Sequence, residues 1–162
     1  MAAADPGAGL RVVLVQPEIP PNTGSVARLC AATAIPLHLV RPLGFSLEDR
    51  YLKRAGLDYW PFVDLHVHDS WQAFLDAEQP TSLICFSARA TRSYLEAPLT
   101  GAVVHLVFGG ETKGLDESLR AAYADSLYSI PIFTPHVRSL NLSNAVSIAV
   151  YEALRQRGAK GE

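Results

Sequence analysis

Six consecutive residues, Ser139-Leu140-Asn141-Leu142-Ser143-Asn144, concentrate small hydrogen-bonding groups: two serines and two asparagines. Such groups hold a ligand or brace a loop. Acid–base chemistry would need more. His136 could pair with Ser139 or Ser143 as base and nucleophile, but no acidic residue is evident to orient it, and no G-x-S-x-G elbow exists. Gly109-Gly110-Glu111-Thr112-Lys113-Gly114 is the second stretch. Its glycines let backbone approach a ligand, but its spacing is neither a Walker A loop nor a G-x-G-x-x-G fingerprint. A plain turn and a ligand loop both remain open. Arg28 stands alone among Val26, Ala27, Leu29, Cys30 and Ala31. It either faces solvent or points back to the Pro20-Pro21-Asn22 loop just over one turn earlier. Arg50, Lys53 and Arg54 share one helix face by spacing, with Tyr59 and Trp60 following. That face is either simply solvated or a phosphate-binding patch with stacking aromatics. His66 and His68 share a strand face and neighbour Asp69. No third histidine or cysteine lies nearby in sequence, so no metal site is expected.

These residues need a frame. Apolar runs at Arg11–Val15, Leu37–Val40, Ser82–Phe86 and Ala102–Phe108 read as buried strands, with weaker strands at Asp64–His68 and Ser126–Ile132. Between them come helices at Gly24–Ala34 (capped by Asn22 or Thr23), from Ser46-Leu47-Glu48-Asp49 onward, from Ser70 through Glu78, and at Asp116–Tyr123. Pro17, Pro20 and Pro21 imply a stiff extended loop over Gln16–Gly24. The last helix starts at Leu142. Leu142, Ala145, Val146, Ala149, Val150 and Ala153 repeat at helical spacing, and Ile148, Tyr151 and Leu154 form an apolar flank. A helix apolar on two faces is buried on two faces, which implies a second subunit. Strands alternating with helices predict an α/β fold with a mostly parallel sheet and helices on both faces. Sites in such folds gather in loops at the carboxyl ends of strands. Gln16–Gly24, Ser87–Arg92, Gly109–Gly114 and Pro131–Leu140 are the four candidates. Ala88–Thr100 reads as an exposed loop.

A chain of 162 residues with 49% hydrophobic and 19% charged residues suits one globular domain. We place it at residues 11–157, after a disordered extension over residues 1–10 and before a short tail at 158–162. The formal charge of −2 leaves room for a local basic patch only. Cys30 and Cys85 sit in apolar runs and read as reduced core thiols of a cytoplasmic protein. No run reaches membrane-span length, and the first residues lack the features of a signal peptide.

Pro17-Glu18-Ile19-Pro20-Pro21-Asn22-Thr23-Gly24 with Arg28-Leu29-Cys30, Arg54-Ala55-Gly56-Leu57-Asp58-Tyr59, Phe108–Leu115 and Ser139–Val146 resemble, in order and spacing, the motifs of the SPOUT methyltransferases, TrmH-like class. Within that class the chain is similar to small enzymes that methylate the wobble nucleotide of leucine tRNAs on its ribose 2′-oxygen. The resemblance implies an α/β trefoil knot and a homodimer joined through the first and last helices. It implies S-adenosyl-L-methionine as cofactor and S-adenosyl-L-homocysteine as product. Phe86, Gly109, Ile130, Ser139 and Leu140 would line the cofactor pocket. Arg28 would have the central catalytic role, with Asn22, Glu111 and Asn141 holding the loops around it. Arg138, Tyr151, Arg50, Lys53 and Arg54 would meet the tRNA, the last three on the anticodon stem-loop backbone. Two positions depart from the family pattern: Gly110 replaces a proline and Lys113 an arginine. The loop Pro131–Arg138 is one residue longer. Methylation at another tRNA or ribosomal RNA position, or a non-catalytic RNA-binding dimer, are the alternatives.

Overall fold

The computed structural model describes residues 5–56 and 59–159, except the side chains at positions 53, 55 and 56. Leu57 and Asp58, and the side chain of Lys53, therefore lie outside the described residues. Among the described residues, six strands form one sheet: β1 (Leu10–Val15), β2 (Leu37–Val40), β3 (Leu65–His68), β4 (Leu83–Phe86), β5 (Val104–Phe108) and β6 (Leu127–Tyr128). Their order is β3-β2-β1-β5-β4-β6, and every pairing is parallel. β2 and β5 are buried along their whole length, which is why their sequences are apolar apart from one histidine each, His38 and His105.

Five α-helices among the described residues flank the sheet: α1 (Pro20–Thr33), α2 (Arg50–Gly56), α3 (Trp71–Glu78), α4 (Glu117–Ala122) and α5 (Leu142–Gln156). Side chains alternate along each strand, so the sheet feeds two cores. Val12, Leu14, Leu37, Leu39 and Leu106 meet Val26 and Ala27 of α1 and Val146 and Val150 of α5. Val13, Val15, Val40, Cys85 and Val107 meet Phe74 of α3 and Leu119 of α4. Both cysteines are free, and burial pushes their thiols up to about 12. They are inert core residues.

Several local expectations change. α1 begins at Pro20, not Gly24, and its cap residue Ile19 makes no side-chain cap. Proline's fixed φ suits the first helical position, where its missing N–H has no partner to lose. Pro20 and Pro21 therefore start the helix that they seemed to exclude. Asn22 becomes a first-turn residue. α2 starts later than Ser46 suggests: Asp49 accepts from the Tyr51 and Leu52 amides at 2.8 and 3.3 Å, while Ser46 closes a turn onto Glu48. Ser70 caps α3 as expected, and Asp116, read as the first residue of its helix, is instead the cap of α4. β6 is only two residues long. The Ala88–Thr100 segment holds a 3-10 turn at Tyr94–Glu96, and it buries Ala97 and Leu99. The extension expected to be disordered is tied down over residues 5–10: Leu10 is already in β1, and Arg157 donates to the carbonyls of Pro6 and Ala8. The same guanidinium reaches the carbonyls of Leu99 and Gly101.

α5 buries Leu142, Val146, Ala149, Val150, Ala153 and Leu154 against its own sheet. Its other flank stays open: Tyr151 is 57% exposed. Glu152, on the buried side, is accommodated because Arg155 folds back and donates to both its oxygens.

Candidate functional site

β1 and β5 are neighbours at the centre of the sheet, but the chain leaves them in opposite directions. From β1 it runs through α1 to β2; from β5 it runs through α4 to β6, two strands away on the other side. The loops after these strands therefore diverge and leave a crevice at their carboxyl ends, where α/β proteins bind ligands. A cleft of ≈ 930 Å³ opens there, within the size range of small-molecule sites. All four loops singled out by composition contribute to it. Phe86, Gly109, Ile130, Ser139 and Leu140 line it, as do Asn22, Glu111, Asn141 and Arg138. The Phe86 and Phe108 rings stack in its wall, centroids 4.8 Å apart.

Side chains bind the loops to one another. Glu111 accepts from the Glu18 amide at 2.9 Å and also from the Ile19 amide. Glu18 answers across the gap: its carboxylate accepts from the Thr112 amide at 3.2 Å and from the Thr112 hydroxyl at 2.7 Å. Two carboxylates thus each grip the other's loop. Glycine at 110 permits this approach, because a Cβ there would lie 2.6 Å from the Gln16 carbonyl oxygen and 2.9 Å from Glu18 Oε1. Asn141 does a similar job opposite. Its Oδ1 caps α5 by accepting from the Ser143 and Asn144 amides, and its Nδ2 donates to Asn22 Oδ1 at 3.0 Å. One side chain therefore ends the fourth loop, starts the last helix and ties it to the first.

A model of the SpoU rRNA Methylase family matches residues 9–151. The chain belongs to this family. A tRNA (cytidine(34)-2′-O)-methyltransferase of Escherichia coli strain K12 is 46% identical over 153 residues, 94% of this chain and 96% of that protein. Among solved structures, one that concerns the 2-OH methylation of C/U34 on tRNA aligns with a TM-score of 0.86 and 51% identity, covering 93% of this chain and 97% of the other. The SpoU methyltransferase AviRb of Streptomyces viridochromogenes, in complex with AdoMet, aligns with a TM-score of 0.82 and 25% identity, covering 93% of this chain and 61% of the other. The resemblance to SPOUT methyltransferases stands, as does the α/β fold expected with it.

Not every residue singled out in the sequence faces this SpoU-family cleft. Arg28 does not line it. Six residues beyond Asn22, it lies about 9 Å further along the helix axis. Its guanidinium sits over the Tyr59 ring, 4.8 Å from the centroid, and it is exposed. Arg50 and Arg54 are exposed on α2, which is packed against α1, and Arg50 covers the Tyr51 ring. Tyr151 lies on the open flank of α5. His66 and His68 do join further histidines. His38 stacks on His66 and its Nδ1 meets His68 Nε2 at 2.9 Å. Among the described residues, no group of three ligating side chains could hold a metal. The residues that sequence reasoning left without a role are Glu18 and Thr112. Both sit inside quoted motifs, but their contact spans 94 positions.

Proposed function

We propose that the chain is an S-adenosyl-L-methionine-dependent methyltransferase that modifies the ribose 2′-oxygen of nucleotide 34, cytidine or modified uridine, in leucine tRNAs. It would act as a cytoplasmic homodimer of knotted α/β subunits and release S-adenosyl-L-homocysteine. The observation that carries this reading is the convergence of three of the four motif stretches on one cleft at the β1–β5 crevice. The E. coli relative and the AdoMet-bound AviRb structure support the reaction and the cofactor.

The cleft's chemistry fits this cofactor. Phe86, Ile130, Ile132 and Leu140 give apolar wall for a purine, while Arg89, Lys113 and Arg138 supply cations for an amino-acid carboxylate. No phosphate-binding loop is needed, and none is present in the sequence. Phe86, Gly109, Ile130, Ser139 and Leu140 are the residues that would hold it. The bound cofactor supplies an electrophilic methyl group. The protein's task is then alignment of a 2′-oxygen, a contribution worth several kcal/mol, and stabilisation of the negative charge that develops there.

Arg28 fits the second task as a fixed cation. A guanidinium stays protonated in proteins, so it does not serve as the base. Resting on Tyr59 outside the cofactor cleft, it can hold an RNA phosphate beside the reacting ribose, and a substrate phosphate oxygen can take the proton. Asn22, Glu111 and Asn141 keep the loops in register. Arg50, Lys53 and Arg54, with Arg138 and Tyr151, meet the anticodon stem-loop. The open flank of α5, next to α1, is the natural dimer face.

The test is direct. Protein, labelled S-adenosyl-L-methionine and bulk tRNA are incubated, and 2′-O-methyl groups are mapped in the product. Label at nucleotide 34 of leucine tRNAs is the expected result. Label elsewhere moves the target. Cofactor binding with no transfer to any RNA defeats the reading.

A further inference from the structure

We propose that Glu18 is a positioning residue for methyl transfer, holding the start of α1 and the Gly109–Gly114 loop in one fixed relation. This rests on the transferase reading above. The Gly109–Gly114 loop has few side-chain anchors of its own. Its glycines at 109, 110 and 114 add no side-chain contacts, and Gly114 takes a left-handed φ of 66° that glycine adopts freely. Within the loop, the Gly114 amide closes onto the Gly110 carbonyl at 2.9 Å. That bond shapes the turn without fixing where the turn sits.

The fixing comes from the two carboxylates. Glu111 anchors the backbone of Glu18 and Ile19, the residue that precedes α1. Glu18 anchors Thr112 by amide and hydroxyl. The bonds run in opposite directions across the same gap, so they resist shear that either one alone would permit. Charged acceptors also make stronger hydrogen bonds than neutral ones. One side of the clasp carries Asn22 and, further along α1, Arg28. The other carries Gly109 and the cofactor wall. Transfer needs those two sides aligned to within about 1 Å.

The role is geometric, so it separates from a role of charge. In Glu18→Gln, the amide oxygen still accepts from the Thr112 amide and the amide nitrogen donates to the Thr112 hydroxyl. In Glu18→Asp, the charge stays but the reach is one methylene short. The full-length protein is assayed with tRNA and S-adenosyl-L-methionine, and each variant is checked by thermal melting. We expect Glu18→Ala to lower kcat by about 10- to 100-fold, while KM for tRNA and for the cofactor change far less. Glu18→Gln keeps most of the activity, and Glu18→Asp falls close to Glu18→Ala. Adding Thr112→Val to Glu18→Ala costs nothing further, as expected when two residues act through one contact. Glu18→Asp outperforming Glu18→Gln, an additive double variant, or an unchanged kcat in Glu18→Ala would each overturn the role. Should Glu18→Ala fail to fold, the order of Glu18→Gln and Glu18→Asp decides. A wild-type protein that methylates no RNA overturns the functional reading, and this role with it; an active wild type with unaffected variants overturns the role alone.

Discussion

Two clusters of polar side chains sit on the same sheet and behave oppositely. At the carboxyl ends of β1 and β5, Glu18, Glu111, Asn22 and Asn141 are partly open to solvent, and each is bonded across a loop boundary. On the α3 face of the sheet, His38 and His105 are 1% and 2% exposed. Among the described residues, neither nitrogen of His105 has a hydrogen-bond partner, and His38 Nε2 comes within 3.2 Å of Glu78 Oε1 without a well-formed bond. His38 Nδ1 and His68 Nε2 share one hydrogen bond, which requires one of the two nitrogens to be unprotonated. Burial holds His38, His68 and His105 below the usual histidine range, and neighbouring histidines and Arg11 push His38 lower still, to about 3. The contact with Glu78 is therefore one of a neutral ring. Polar groups bonded between loops build a site; polar groups sealed under a helix act as neutral filler with an acid weakness.

That contrast can be broken at either end. The largest effect belongs to the site: Arg28→Ala should lower methyl transfer by about 10²- to 10³-fold, the cost of removing a preorganised charge, while calorimetric binding of S-adenosyl-L-methionine barely changes. Equal loss of both would place Arg28 in the cofactor pocket. Acid probes the other cluster. The folded-state pKa values of His38, His68 and His105 lie below the unfolded value, so the stability they allow is complete above about pH 6.5 and is lost as pH falls below it. His38, neutral down to about 3, steepens that loss by about 1.4 kcal/mol per pH unit, and His68 and His105 act in the same direction. Urea titrations at pH 7, 6 and 5 should show it, and His105→Leu should remove one proton from the slope. A flat profile would show the cluster to be open to water. Arg50→Ala and Arg54→Ala should each weaken tRNA binding regardless of sequence and reduce its salt dependence by about one ion. Smallest, Ser70→Ala removes the cap of α3. It should cost about 1 kcal/mol in denaturant titration and leave methyl transfer untouched.

The strands were readable because buried parallel strands are continuous apolar runs, and the site loops because their composition is odd. The helix from Leu142 was readable from its repeat, though only the burial of its own-core face is seen in one chain. Four things escaped for physical reasons. Pro20 and Pro21 looked like an extended loop because proline forbids helix interiors, yet it favours helix starts. The histidine cluster was invisible because His38, His66 and His105 come together only when β2, β3 and β5 take their places. Arg28 stayed open between solvent and the Pro20-Pro21-Asn22 loop, because spacing along the chain does not show that the turn of α1 directs it onto Tyr59. The Glu18–Thr112 contact had no local signal at all.

The central pairing of β1 with β5 also sets a schedule. Leu10 pairs with Val104, so the middle of the sheet cannot close until most of the chain has been synthesised. Contacts so distant in sequence slow folding. The crevice, the crossed carboxylates and the cap at Asn141 all depend on that closure. A nascent chain therefore acquires the cleft late, after β5 has been made.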